Sequence, residues 1–111
     1  MTIRITLIFF ATLISGCASA INVDITKNGL YEYNFGSLGD EQGLEISKQA
    51  KHYAVSEIIW NENTYEQTFR YEPRDEFVGK DVVVIRFIEW DYAKEKDITL
   101  ETYKFKFNVC E

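Results

Sequence analysis

The chain has few of the residues that build metal sites, disulfide frameworks and prolyl turns. Its 111 residues include one His, two Cys, one Pro and one Met. One His and two Cys supply too few ligands for a zinc site of the His/Cys kind. Basic residues are also outnumbered, with 12 Lys and Arg against 18 Asp and Glu and a formal net charge of −6. This acidic balance argues against a nucleic-acid-binding protein, which needs a basic face.

Motifs for catalysis and for phosphate or calcium binding are missing from the sequence as well. His52 is the only histidine, and no Ser or Cys nucleophile stands in a motif that would complete a triad with it. The chain contains neither an EF-hand pattern nor a Gly-rich phosphate loop. We therefore interpret His52 as a turn residue and expect a non-enzymatic protein without cofactor or metal. The acidic clusters are interpreted as solvated loop charge: Asp40-Glu41, Asp75-Glu76 and Glu89/Asp91.

A basic start and a short apolar run open the chain. Arg4 precedes residues 5–14, which are apolar except for two threonines. A run of about ten residues is too short for a transmembrane helix, which needs about 20, and is typical of the core of a secretory signal. Residues 1–16 are predicted to be a signal peptide.

The residues that follow this run resemble a bacterial lipobox. Ile14-Ser15-Gly16-Cys17 has an aliphatic residue and two small residues before a Cys. The resemblance implies that a peptidase cuts before Cys17 and that the Cys17 thiol carries diacylglycerol, so that residues 17–20 form a lipidated amino terminus and tether. Ala18, in place of Asp, is similar to lipoproteins sent to an outer membrane. The implied location is the bacterial cell envelope, at the outer membrane if the cell has one.

Cleavage by the ordinary signal peptidase is the alternative. Ala18-Ser19-Ala20 is a suitable A-x-A site and would release a soluble periplasmic or secreted chain that starts at Ile21. Either cleavage leaves Cys110 without an intramolecular partner, because Cys17 is lipidated or removed. Cys110 is then a small residue at the end of the last strand or a thiol free for an intermolecular bridge.

Residues 21–111 are predicted to form one all-β domain. Apolar and polar residues alternate through most of this region, as in strands with one buried face. About seven strands in about 90 residues are typical of an immunoglobulin-like antiparallel β-sandwich. The predicted strands cover residues 21–26, 30–35, 44–47, 52–60, 64–71, 80–91 and 97–109.

Three details of the strand pattern are informative. Residues 82–90 are apolar on both faces, which predicts a central strand. The last strand changes phase near Glu101-Thr102, which predicts a β-bulge. Residues 44–60 are ambiguous, because apolar side chains spaced by four also suit a helix. The β-branched and aromatic residues of this stretch favour two strands.

Two motifs in residues 40–109 resemble those of bacterial cadherin-like, immunoglobulin-like surface repeats. Gln49-Ala50-Lys51-His52-Tyr53 is similar to a Gln-Pro-x-His-Gly turn between two strands, with Ala and Tyr in place of Pro and Gly. The stretch 68–73 is similar to an aromatic strand that ends in Pro, and Phe77-Val78-Gly79-Lys80-Asp81 to the Phe-x-Gly-x-Asp that follows it. The resemblance implies the fold more than a function.

The chagasin-like cysteine-protease inhibitors are the alternative relatives. They are small immunoglobulin-like domains, and Glu89-Trp90-Asp91 loosely resembles their late Arg-Pro-Trp loop. Their Arg-Pro pair, their Asn-Pro-Thr-Thr-Gly loop and their Gly-rich middle loop are missing here. The resemblance implies protease inhibition on the same scaffold.

The sequence as a whole predicts a membrane-anchored lipoprotein that acts as a binding or structural module. Its membrane contact is the N-terminal lipid, and its partner is a protein or a glycan. Contact is expected from the loops at 36–43, 73–79 and 91–97. Trp60 and Trp90 are predicted to be core residues; if they are exposed together with Tyr92, the three form the first candidate for a ligand face.

Overall fold

The computed structural model describes residues 19–111, which form seven β-strands and no helix. Accordingly, this part of the chain holds no helix long and apolar enough to cross a membrane. The predicted signal peptide 1–16 and the lipidation residue Cys17 lie outside the described residues. The strands are β1 (Ser19–Thr26), β2 (Tyr31–Ser37), β3 (Gln42–Lys48), β4 (Tyr53–Trp60), β5 (Glu66–Pro73), β6 (Gly79–Asp91) and β7 (Lys96–Cys110).

The strands form two sheets that pack as a sandwich. One sheet has the order β1-β7-β6-β3 and the other the order β2-β5-β4. The predicted all-β, immunoglobulin-like sandwich is confirmed, and so is the central position of residues 82–90 in β6. One pairing departs from the antiparallel rule, since β1 runs parallel to β7 with Ser19 opposite Tyr103 and Thr26 opposite Cys110.

The structure resolves both local ambiguities of the sequence. Residues 44–60 form β3 and β4, so the helical alternative is wrong and the strand interpretation is confirmed. The four-residue spacing arises because the two strands lie in different sheets, each burying one face against the core. The bulge in β7 falls at Leu100, one residue before the predicted position, where the pairing with β6 shifts between Thr99 and Glu101.

The fully buried side chains come from the central strands of both sheets. Phe69 and Tyr71 of β5 meet Phe105 and Phe107 of β7 across the sandwich. The rings of Tyr71 and Phe107 stack with their centroids 3.9 Å apart. Aromatic rings bury about 150–250 Å² each and dominate the energetics of such a core. The remaining fully buried positions are Val83, Ile85 and Val109.

The connections between strands gather at the two ends of the sandwich. We call the end formed by residues 38–41, 61–65 and 92–95 the loop end. There the Ser37 hydroxyl donates to the Thr64 carbonyl at 3.0 Å, and the Trp90 amide donates to the Glu41 carbonyl at 2.9 Å. The first bond ties the end of β2 to the 61–65 loop, and the second ties the 38–41 loop to the end of β6.

The opposite end, which we call the turn end, is formed by residues 27–30, 49–52 and 74–78. Lys27 pairs with Glu76 at 2.8 Å, and the Arg74 amide donates to the His52 carbonyl at 3.0 Å. Of the three loops from which contact is expected, 36–43 and 91–97 therefore lie at the loop end, whereas 73–79 lies at the turn end.

Candidate functional site

The loop end carries the largest exposed aromatic side chains of the described residues. Trp60 and Trp90 are 55% and 38% exposed, and Tyr92 is 71% exposed. The prediction that the two tryptophans are core residues is therefore wrong. Trp60 is the last residue of β4, and Trp90 is the last but one of β6, on the face of that strand opposite the buried Val83 and Ile85. The condition for a ligand face, exposure together with Tyr92, is met.

Tyr65 is a fourth member of this set that the sequence did not reveal. Alternation places it on the same face as the core residues Phe69 and Tyr71, but β5 begins only at Glu66. Tyr65 has a φ of 62° and is 62% exposed. The Asn-x-x-Thr sequence before it is the available signal, because Asn favours a turn and a turn breaks the alternation.

The four rings form two pairs, one on each sheet. Trp60 and Tyr65 lie 6.0 Å apart between ring centroids, at the end of β4 and the start of β5. Trp90 and Tyr92 lie 6.3 Å apart with an edge-to-face angle of 86°. The loop end thus presents two aromatic pairs, one on each sheet, which together we call the aromatic face.

Side chains within the loops hold this face in place. The side-chain carbonyl oxygen of Asn61 accepts hydrogen bonds from the backbone amides of Asn63 and Thr64, at 2.8 and 3.2 Å. Asp91 accepts in the same way from Ala93 and Lys94 at 2.9 and 3.2 Å. Such Asx turns mimic a backbone turn and restrict the loop that they close. The aromatic pairs therefore stand on ordered supports.

The aromatic face is surrounded by carboxylates. Glu41 accepts a long hydrogen bond of 3.4 Å from the Tyr92 hydroxyl, and Glu89 accepts from Gln42 at 2.9 Å. Asp91 closes the β6–β7 loop. Exposed aromatic surface with an acidic rim suits a partner of neutral or basic character, since opposite charge assists encounter.

The turn end has a different construction, centred on the buried carboxylate of Asp81. This side chain is 5% exposed. One of its oxygens accepts from the amides of Lys51 and Val82 at 2.9 and 3.0 Å. The other accepts from the His52 amide and the Tyr71 hydroxyl, both at 2.9 Å. A buried carboxylate with four donors fixes the 49–52 segment to both sheets at once.

The pKa of Tyr71 is affected by the same hydrogen-bond network. Burial, and after it the hydrogen bond to Asp81, raises the pKa of Tyr71 well above its ordinary value. Burial likewise raises the pKa of Tyr103 to about 12. Both shifts favour the neutral phenol in the folded protein.

His52 belongs to the first of the two motifs that carry the cadherin-like resemblance, and its ring contacts the second. Its ring stacks on Phe77 with centroids 4.3 Å apart and an angle of 12°. Gly79 has a φ of 142°, and a Cβ there would stand 3.2 Å from the Phe77 ring. The Phe-x-Gly-x-Asp pattern is therefore one unit in which Phe77 covers His52, Gly79 makes room for Phe77, and Asp81 holds the turn.

The remaining candidate residues stay apart from these features. Cys110 is exposed and free at the end of β7. Within residues 19–111, His, Cys, Asp and Glu side chains do not gather in any group of three that could hold a metal ion. Asp75 and Glu76 lie at the turn end, whereas Asp40, Glu41 and Asp91 lie at the loop end.

Comparison with known proteins gives the fold and no family. The chain is an immunoglobulin-like β-sandwich. No protein-family model matches it, and no curated protein matches it either. An endo-fucoidan hydrolase of glycoside hydrolase family 107 is similar at a TM-score of 0.52 and 11% identity over 81% of this chain. The match covers only 12% of the hydrolase, so the chain corresponds to a small part of that enzyme.

Two further solved structures resemble the chain. A second structure of the same endo-fucoidan hydrolase gives a TM-score of 0.52 over 82% of this chain. A cysteine protease inhibitor from Entamoeba histolytica gives a TM-score of 0.49 and 14% identity over 83% of this chain and 86% of the inhibitor. At these identities the similarity concerns the fold alone.

Proposed function

We propose that the protein is a lipoprotein of the bacterial cell envelope whose immunoglobulin-like domain is a non-enzymatic binding module. The observation that carries the proposal is the aromatic face, in which four exposed rings stand on ordered loops at one end of a small sandwich. Trp and Tyr are the residues most enriched at the centres of protein interfaces, where they combine large apolar area with a polar tip. The partner is a protein or a glycan of the envelope.

The lipobox supports the membrane anchor. Ile14-Ser15-Gly16-Cys17 directly follows an apolar run of signal-peptide length. β1 begins at Ser19, only two residues after Cys17. Two extended residues span at most about 7 Å, so a lipid on Cys17 would hold the sandwich against the membrane surface.

The direction of β1 supports a membrane-proximal partner. β1 is parallel to β7, and β7 begins at the loop end. Ser19 pairs with Tyr103, so the chain enters the sheet from the side of the loop end. Tyr103 is the middle residue of β7, so a lipid on Cys17 would lie beside the sheet with the loop end on its nearer side, within reach of a partner at the membrane surface.

Intact mass of the protein extracted from membranes tests the anchor, with a Cys17→Ala variant beside it. A mass of residues 17–111 plus acyl chains, lost in the variant, is the expected result. A mass of residues 21–111 without lipid would instead identify a soluble secreted domain and overturn the anchor. It would leave the binding proposal to be tested separately.

Tryptophan fluorescence tests the aromatic face. The chain has two tryptophans, and both belong to that face. Titration with glycan fragments from the envelope should change the emission in a saturable way, and Trp60→Phe and Trp90→Phe should each remove part of the change. For a protein partner, a photo-crosslinking residue at Tyr92 should capture it, whereas the same residue at Lys106 on β7 should not. Failure of both measurements would contradict the proposal.

Inhibition of papain-like cysteine proteases is the second candidate. It is favoured by the grouping of the β2–β3, β4–β5 and β6–β7 loops at one end with Trp90 beside them. The motif residues that the chagasin-like resemblance implies are largely missing from those loops. A papain assay distinguishes the two candidates: dose-dependent inhibition that Trp90→Ala abolishes would establish the inhibitor, and no inhibition at micromolar protein would exclude it.

A further inference from the structure

A cationic cleft at the turn end lies opposite the aromatic face. It has a volume of about 170 Å³. This is several times the roughly 30 Å³ that a water molecule occupies in the liquid, so the cleft has room for a polyatomic group. Its walls come from the end of β3, the 49–52 segment and the start of β6. The lining residues are Lys48, Lys51, His52, Lys80, Asp81 and Val82.

The three lysines of this cleft are not neutralised by carboxylates. The salt bridges among residues 19–111 involve Lys27, Arg70 and Arg86 as cations, and none of the cleft lysines. The chain as a whole has a net charge of −6, so three unpaired ammonium groups around one depression are a local reversal of sign. A cleft lined by one sign of charge concentrates the field and raises the local concentration of counter-ions.

The single carboxylate in the cleft is already occupied. Asp81 accepts four hydrogen bonds, three from backbone amides and one from Tyr71. The Asp81 carboxylate is therefore bound by groups of the fold itself, and it forms no salt bridge with a lysine. The ammonium groups retain their donors for a ligand, and Lys binds phosphate groups as a mobile point charge.

The floor of the cleft is rigid. Asp81 fixes the amides of Lys51 and His52, and the Gln49 side chain accepts from Ser56 at 2.6 Å and donates to the Ser56 carbonyl at 3.1 Å. The His52 ring stacks on Phe77, and its buried Nδ1 has no hydrogen-bond partner among the described residues. The flexible lysines therefore surround a preformed depression, which lowers the ordering cost of binding.

We propose that this cleft is a binding site for a tetrahedral oxyanion group, the phosphate or sulfate of an ester. The ligand would be held by Lys48, Lys51 and Lys80 around the depression. The site is independent of the aromatic face and of the lipid anchor, because it lies at the other end of the sandwich.

Titration with inorganic phosphate and with inorganic sulfate, each a single tetrahedral ion, tests the site at low ionic strength when amide chemical shifts are followed. We expect saturable shifts at residues 48–52 and 80–82, with a Kd of about 1 mM, an affinity in the range of a few charge contacts. Low salt is needed because the Debye length falls from about 30 Å at 0.01 M to about 10 Å at 0.1 M ionic strength. The ion that binds with the lower Kd shows whether the natural ligand is a phosphate ester or a sulfate ester.

Two double variants with the same change in net charge separate a site from general attraction. Lys48→Gln with Lys80→Gln removes two cleft cations, whereas Lys94→Gln with Lys96→Gln removes two exposed cations of the β6–β7 hairpin at the opposite end of the sandwich. The cleft variant should bind about tenfold more weakly, and the hairpin variant should bind like the wild type. Both variants should keep the wild-type thermal midpoint, because all four side chains are exposed.

Two outcomes would overturn the proposal. Equal weakening in both variants would mean that the ions respond to net charge alone. Shifts that do not saturate, or that do not centre on residues 48–52 and 80–82, would mean that the cleft does not bind oxyanions.

Discussion

The two ends of the sandwich are stabilised by different physical means. The turn end is organised around the buried Asp81, whose four hydrogen bonds tie the 49–52 segment to both sheets. The loop end is held by local Asx turns at Asn61 and Asp91, and its aromatic rings face solvent. Large apolar side chains left exposed on ordered supports gain little for folding and are available for contact. The turn end is thus held by a buried hydrogen-bond network, whereas the loop end leaves aromatic side chains exposed.

Asp81→Ala should have the largest effect on stability. It leaves three backbone amides and the Tyr71 hydroxyl without their acceptor. At roughly 1–3 kcal/mol for each unsatisfied group, the free energy of unfolding should fall by about 4 kcal/mol or more. Urea denaturation measures the change. Asp97→Ala, at an exposed position of the β6–β7 hairpin, is the matched control and should stay within about 0.5 kcal/mol of the wild type. A small loss in Asp81→Ala would show that Asp81 does not organise the turn end.

Gly79→Ala should cause the second-largest loss of stability. The φ of 142° is one that L side chains rarely adopt, and the new Cβ would stand 3.2 Å from the Phe77 ring. Backbone strain of this kind costs about 1–3 kcal/mol. Thermal denaturation beside Gly43→Ala checks it, since a Cβ at Gly43 meets only Ile88 at 3.9 Å. Equal midpoints for the two variants would contradict the close packing of Phe77 on Gly79.

Tyr71→Phe should lower the free energy of unfolding by about 1.5 kcal/mol at neutral pH, because one hydrogen bond to a charged acceptor is lost. The substitution should also change how steeply the free energy of unfolding falls at alkaline pH. The raised pKa of Tyr71 stabilises the fold fully below pH about 10, the unfolded value, and this contribution is lost as the pH rises through the folded value.

Stability against urea between neutral pH and pH about 11 measures this dependence. The wild type should lose stability more steeply than Tyr71→Phe above pH about 10, while the buried Tyr103 keeps some slope in both. Tyr92→Phe, on an exposed ring, should reproduce the wild-type slope. Identical slopes for wild type and Tyr71→Phe would show that the phenol is not held neutral by the turn end.

Trp60→Ala should have the smallest effect on stability, within about 1 kcal/mol, because Trp60 is 55% exposed. Trp90→Ala should cost somewhat more, because Trp90 is 38% exposed and buries more apolar area. Acrylamide should quench the fluorescence of the wild type efficiently, because both rings are exposed to solvent. A loss of several kcal/mol, or poor quenching, would mean that the rings are packed and would remove the contrast between the two ends.

Much of the fold was predictable because its signals are local. Alternation predicted β1, β2, β5 and β7, the β-branched and aromatic residues favoured β3 and β4, and the two apolar faces of residues 82–90 predicted the central position of β6. Pro73 marks the end of β5 as expected of a residue without an amide donor. The parallel pairing of β1 with β7 was not predictable, because alternation carries no information about which strand lies alongside.

The candidate surfaces were less predictable than the strands. Trp60 and Trp90 are of a residue type common in cores, but Trp60 lies at the very end of β4 and Trp90 on the face of β6 opposite the buried Val83 and Ile85. Tyr65 continues the alternation of β5, and only the left-handed turn at Asn61–Tyr65 removes it from the core face. The lysines of the cleft stand at positions 48, 51 and 80, and nothing in that spacing brings β3 and β6 together.

By itself, the sequence determined the all-β class and the number and approximate limits of the strands, because periodicity depends on neighbouring residues only. The tertiary structure decided which side chains share a surface. It joined His52, Phe77 and Asp81 into one support, grouped three loops beneath the aromatic face, and brought three lysines around one cleft. These arrangements depend on strand order and register, which are set by packing across the sandwich between residues far apart in the chain.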